Sequence, residues 1–173
     1  MSTESQPVYL VHATAEYVVL VINGRASYLN AAPLDPFFKK LLLQGRRNFI
    51  LDFTRCTGMD STFLGIIAGA AMEARKSQPP GKLCLMGLSP RNLELVRNLG
   101  LHRVLSVDCG DFPMDFSPAQ ARVLPAPDQE LANARLILKA HENLVAADES
   151  NRGKFQDVLT FLKTQAEKEE AGK

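Results

Sequence analysis

At 173 residues, with 46% hydrophobic and 23% charged residues, the chain has the size and composition of one globular domain with room for an appendage, which excludes disorder or a collagen repeat as a description of the whole. Twenty Lys and Arg against nineteen Asp and Glu leave a formal net charge of +1, without the basic surplus that phosphate-backbone binding requires, so nucleic acid is not an expected partner. The longest apolar run, Phe63 to Met72, includes Gly65 and Gly69 and falls well short of the ~20 residues of a membrane span, and residues 1–7, read as a disordered N-terminus, carry no positive residue ahead of an apolar core as an export signal would.

Residues Val8 to Thr14 and Tyr17 to Ile22 are rich in Val, Leu, Ile and Tyr, and the short break at Ala15-Glu16 makes them a β-hairpin that Asn23-Gly24 stops. Pro33 and Pro36 suit the first turn of a helix, and Phe37, Phe38, Leu41 and Leu42 continue at helical spacing to give a helix over Leu34–Gln44, ended by Gly45. Phe49 to Phe53 is a short apolar strand of the kind buried on both faces. From Ser61 to Lys76 the residues Leu64, Ile67, Ala68, Ala71 and Met72 repeat at helical intervals, with Arg75 and Lys76 in the last turn and Pro79-Pro80-Gly81 as terminator. Gly65 and Gly69 in this helix are read as close packing against the sheet. Leu83–Met86 is a further buried strand, Leu93, Val96 and Leu99 mark a third helix closed by Gly100, and Val104–Val107 is a last strand. A hairpin followed by alternating helices and short apolar strands gives an α/β fold with a mixed β-sheet.

The pattern changes after Cys109. Pro113, Pro118, Pro125 and Pro127 fall in a linker over 110–128, and two helical patterns, Gln129–Ala147 and Asn151–Glu170, follow across the capping residues Asp148-Glu149-Ser150. Leu131, Ala134, Ile137, Leu138, His141, Leu144 and Val145 form one stripe, and Phe155, Val158, Leu159 and Leu162 another. A helical hairpin of this size needs a third surface. Its seat is the chain's own α/β domain or a second copy of the chain, which would make a homodimer through the C-terminal helices.

Chemically the chain is sparse. It lacks the glycine-rich phosphate loops of the two standard nucleotide folds, so no cofactor is expected. His12, His102 and His141 stand apart in sequence from each other and from any Cys pair, so no metal is expected and no nucleophile–base pair is apparent. Cys56, Cys84 and Cys109 are read as reduced thiols of a cytoplasmic protein, Cys84 being a small core residue. The segment that stands out is Gly58-Met59-Asp60-Ser61-Thr62, between a buried strand and an apolar helix. Its polar side chains suit a helix cap, and a hydroxyl there is also a favourable place for a phosphate, which would meet free N–H groups and the positive end of the helix dipole.

The series Phe49-Ile50-Leu51-Asp52-Phe53, Met59-Asp60-Ser61-Thr62-Phe63-Leu64-Gly65, Leu83 to Pro90 and Leu99 to Leu105 resembles the STAS domains of bacterial anti-sigma-factor antagonists, with the likeness extending over 8–109 and leaving 110–128 as linker and 129–173 as a C-terminal helical hairpin. The resemblance implies a non-enzymatic binding protein. Ser61 matches the serine that an anti-sigma kinase phosphorylates; the unphosphorylated form binds that kinase and frees the sigma factor, and a phosphatase resets the cycle. Asp60, Ser61, Thr62 and Phe63 would form the partner-binding segment, with Asp60 capping the helix and orienting the site and Thr62 serving as a cap or a minor acceptor. Two positions depart from the pattern. Phe63 replaces a usual Gly and would set a ring where a partner approaches, and Gly24-Arg25-Ala26-Ser27 stands where many antagonists carry an acidic residue beside the serine. The alternative is a scaffold subunit that keeps the fold without switching and assembles through its C-terminal helices.

Overall fold

The computed structural model describes residues 8–107, 122–124 and 132–172. The hairpin is present as β1 (Tyr9–Ala13) and β2 (Val18–Ile22), antiparallel with Tyr9 opposite Ile22 and Ala13 opposite Val18. Gly24, at φ +83°, turns the chain. Asn23-Gly24 ends β2 as expected, and a separate three-residue strand, β3 (Gly24–Ala26), follows at once. Helix α1 (Leu34–Leu43) starts after Pro33, and β4 (Asn48–Asp52) lies parallel to β2. A strand missing from the sequence reading, β5 (Cys56–Met59), pairs in parallel with β3 to make a separate two-stranded sheet. It leads directly into α2 (Ser61–Lys76), whose bounds match the expected helix.

The principal sheet runs β6 (Lys82–Met86), β4, β2, β1, β7 (Arg122–Val123), with parallel pairs inside and antiparallel pairs at the β1 side. The mixed α/β class is therefore present as expected. β7 lies within the segment read as linker, where it pairs antiparallel with Leu10 and Val11; nearly all the rest of 110–128 lies outside the described residues. Alternation along the strands separates two buried sets. Val18, Leu20, Ile22, Phe49, Leu51, Leu83 and Leu85 join the helices in the main core, while Val19, Ile50 and Cys84 form a smaller cluster on the reverse face.

The last expected strand shrinks to a single bridge. Helix α3 (Pro90–Asn98) is capped by Ser89, whose Oγ accepts the Asn92 N–H at 3.1 Å, and Gly100 at φ +67° then curls the chain into a 3-10 turn over Leu101–Arg103. The Leu105 N–H donates back to the Leu101 carbonyl at 2.8 Å, and only Ser106 reaches the sheet, between Leu83 and Leu85. Burying both Leu101 and Leu105 favours the turn over an extended Val104–Val107. Cys84 is the small core residue expected, 1% exposed, but it is disulfide-bonded and not a reduced thiol, whereas Cys56 is a free buried thiol.

The C-terminal unit packs on its own domain. Helix α4 (Ala134–Ala147) begins at the Asn133 cap, later than the expected Gln129; residues 129–131, including Leu131 of the expected stripe, lie outside the described residues. The second expected helix is broken at Phe155 into α5 (Asn151–Lys154) and α6 (Gln156–Ala171). Leu159 and Leu162 turn inward from α6, and Val158, placed on the same stripe by the sequence, is instead exposed. The fully buried Asn151 donates through Nδ2 to the carbonyls of Leu99 at 2.9 Å and Leu144 at 2.8 Å, and Lys154 Nζ donates to the Asn98 carbonyl, so the turn between α4 and α5 is fastened to the end of α3.

Gly65 and Gly69 meet this unit and not the sheet. A Cβ built at Gly65 would lie 2.0 Å from the Ala140 carbonyl oxygen, and one at Gly69 would lie 2.3 Å from Asn143 Nδ2. Asn143 uses that nitrogen to donate to the Gly65 carbonyl at 3.1 Å. Gly65→Ala therefore forces backbone to move against backbone and is expected to cost about 1–3 kcal/mol, measured by urea unfolding, with amide exchange rising first in α4.

Candidate functional site

The site is the junction of β5 and α2. Asp60 has extended backbone and caps the helix, with Oδ1 accepting the Phe63 N–H at 2.9 Å. Its other oxygen, Oδ2, accepts the Tyr28 N–H at 2.8 Å, and its own N–H donates to the Ala26 carbonyl at 3.1 Å. One carboxylate thus joins the start of α2 to the loop between β3 and α1. Asn30 braces that loop from beneath. Its Oδ1 accepts the Ser27 N–H at 3.0 Å and the Tyr9 hydroxyl at 2.8 Å, while its Nδ2 donates to the Arg25 carbonyl at 2.8 Å. The Tyr9 phenol is held well above its ordinary ionisation range, first by burial and then by the nearby Asp60 charge, so it remains a hydrogen-bond donor. Ser27, at the position of the missing acidic residue, is buried and accepts the Leu29 N–H at 3.2 Å, closing the loop.

The four residues singled out by sequence have different surroundings. Ser61 is half-buried and begins the helix, with Asp60 beside it at partial exposure. Thr62 is only 4% exposed and Phe63 is fully buried. The Phe63 ring, expected at a partner surface, instead stacks on Tyr9 with centroids 6.5 Å apart and meets Phe53 edge-on at 6.1 Å. At the first turn of a helix laid over a sheet, that ring direction points into the core. The apolar side chains that do face outward here are Tyr28 and Leu29, 45% and 55% exposed, on the loop whose backbone Asp60 holds.

His141 was the residue missed. Its Nε2 lies 2.9 Å from Ser61 Oγ and its Nδ1 lies 2.8 Å from the Ile137 carbonyl oxygen, with the ring 3% exposed and edge-on to Phe155. The sequence left His141 isolated, and docking of α4 on α2 brings it to Ser61 across an 80-residue separation. A polar side chain on an otherwise apolar stripe was the available signal. A cleft of about 910 Å³ lies between α1, α2 and α4, with Phe38, Leu42, Ile66 and Ala70 in its wall, and Ser61 is not among its lining residues. Ser61 therefore presents to a surface and not to that cleft. Among the described residues no helix is long and apolar enough to cross a membrane.

The STAS domain family model matches residues 9–113, more than half of the chain, and stops before α4. A search of curated proteins finds no significant match. Similar solved structures include the anti-sigma factor antagonist SpoIIAA in its unphosphorylated form, at 23% identity over 51% of this chain and 81% of that one with a TM-score of 0.46. The phosphorylated form of the Bacillus cell fate determinant SpoIIAA is 21% identical over 59% and 92%, with a TM-score of 0.49. An anti-sigma factor antagonist from Mycobacterium paratuberculosis is 15% identical over 61% and 88%, also at 0.49. The fold assignment rests on the family match and on the sheet topology.

Asp60→Ala removes one cap and one loop tether together. Losing the cap alone should cost about 1 kcal/mol, and hydrogen exchange at Tyr28 should quicken more than at residues of β1; an unchanged Tyr28 amide would show that Asp60 does not hold the loop.

Proposed function

Since the chain belongs to the STAS domain family, we propose that it is a regulatory binding protein of the anti-sigma-antagonist type, switched by phosphorylation of Ser61. The observation that carries this reading is the placement of Ser61. Its hydroxyl begins α2 at partial exposure, beside the Asp60 cap, while the neighbouring hydroxyl of Thr62 is buried. A phosphoserine at this point gains the positive end of the helix dipole and brings about −1.5 to −2 charges to the surface. A partner seated on neutral Ser61 and on the exposed Tyr28 and Leu29 would meet that charge at its contact and be repelled. The partner is an anti-sigma kinase, and a phosphatase restores the binding form.

This reading places the protein in the cytoplasm with the kinase and its nucleotide. The disulfide at Cys84 is unusual for that compartment, and a thiol count after lysis under alkylating conditions measures how much of it exists in the cell. The second reading, a scaffold subunit that does not switch and assembles through its C-terminal helices, is favoured by Val158 and Phe161, which stand exposed on α6. The two readings divide on one experiment. Full-length protein and Ser61→Asp are used to capture partners from the native cell, and phosphosites are mapped on the endogenous protein. The switched reading expects phosphate on Ser61 and not on Thr62, and a kinase whose complex weakens by about 1–3 kcal/mol with Ser61→Asp. Identical partners at identical affinity would leave the scaffold.

A further inference from the structure

Capping requires only Asp60, and partner contact requires only the outward side of Ser61, yet the hydroxyl also has an inward neighbour. The carbonyl of Ile137 can only accept, so His141 Nδ1, 2.8 Å away, carries a proton. In the neutral ring Nε2 then offers a lone pair, and the Ser61 hydroxyl, 2.9 Å away, is the donor between them. The backbone of α4 fixes the tautomer. Burial of the ring at 3% exposure, with the Phe155 ring centred 5.0 Å away, holds it in place. Ser61 itself is half-buried, so its proton is directed inward to an imidazole while lone pairs of the oxygen remain for the solvent side. This is the arrangement of a nucleophile with its base behind it.

Resting on the reading of Ser61 as phosphoacceptor, we propose that His141 is an in-chain general base for its phosphorylation. Ser61 Oγ bonds to the γ-phosphorus of a nucleoside triphosphate held by the partner kinase, and the bond from that phosphorus to the bridging oxygen breaks. The nucleoside diphosphate leaves with the electron pair, and the Oγ proton passes to His141 Nε2. The product pairs a phosphoserine with an imidazolium whose two N–H groups face the new ester and the Ile137 carbonyl. Without the transfer, Nε2 would face an ester oxygen with no proton between two acceptors. The base is contributed by α4, beyond the segment that the family model matches.

A fluorophosphonate tests the step without a kinase, since the same attack forms an O–P bond, expels fluoride and releases the same proton. Full-length protein is incubated with the probe and the adduct is mapped by mass spectrometry. The adduct is expected on Ser61, absent in Ser61→Ala, and on the order of 100-fold slower to form in His141→Gln, whose amide can accept the hydrogen bond but not the proton. Equal rates in wild type and His141→Gln, or no adduct on Ser61 in the wild type, would overturn the proposal. A measurement on the wild type alone covers a variant that does not fold: the ring ¹⁵N spectrum should show His141 protonated at Nδ1 and bare at Nε2, and the opposite tautomer overturns the assignment. A His141-dependent adduct with no phosphoserine at 61 in the native cell would instead sink the phosphoacceptor reading and leave the nucleophile–base pair standing.

Discussion

The site depends on how closely two helices approach. With hydrogen in place of a side chain at Gly65, the backbone of α2 comes into contact with the backbone of α4 at Ala140, and Asn143 crosses the same gap to the Gly65 carbonyl. Neighbours on a helix face recur every three or four residues, so the contact that seats Ala140 at Gly65 brings His141 to Ser61, one turn earlier on α2. A larger residue at position 65 would hold the helices apart and leave Ser61 with solvent alone on that side. The C-terminal unit is for this reason part of the structure of the site. The fastening of Asn151 to Leu99 and of Lys154 to Asn98 fixes the unit beyond the C-terminal end of α4.

Much of the α/β domain was legible because its elements carry strong local signals. Helix α2 has an unbroken helical period, an Asp cap and a basic last turn, and its bounds follow from these alone. The features that were not legible are those in which a distant partner overrides local character. β3 and β5 are short, contain Gly24 and Gly58, and exist by pairing with each other across the chain. β7 consists of two residues in a proline-rich stretch and is stabilised by the free edge of β1. Conversely, Val104–Val107 has the composition of a strand but follows a left-handed glycine, and burial of Leu101 and Leu105 keeps most of it curled.

The same division applies to the site. Ser61 and Asp60 were readable because a cap is a local device, and the chain around them carries a recognisable family signature. The direction of Phe63 was not, since a residue type at a helix start does not say which way the helix faces; only the sheet beneath it decides that the ring joins Tyr9 and Phe53. His141 was visible as one polar member of an apolar stripe, but its partner depended on which surface the hairpin would meet. Gly65 and Gly69 answer this question only in the folded chain, because their spacing shows that something approaches closely without showing whether it is the sheet or α4.

Ser61 consequently faces two ways, and this bears on what its charge state can report. Outward, beside the exposed Tyr28 and Leu29, the proposed phosphate would change the surface offered to a partner, where charge repulsion and desolvation would act. Inward, under the proposed transfer the same modification would move the hydroxyl proton to His141 Nε2 and turn that nitrogen from acceptor to donor across a contact of low dielectric. The outward effect needs only the domain that the family shares. The inward effect needs the helices added beyond it, and it ties the chemistry of one oxygen to the seating of the whole C-terminal unit. A scaffold without a switch has a use for the close approach of α4 and α2, but that approach is already secured by Gly65, Asn143 and Asn151. Apolar packing at position 141 would serve it as well as an imidazole with a fixed tautomer. What distinguishes histidine there is its capacity to take a proton from Ser61.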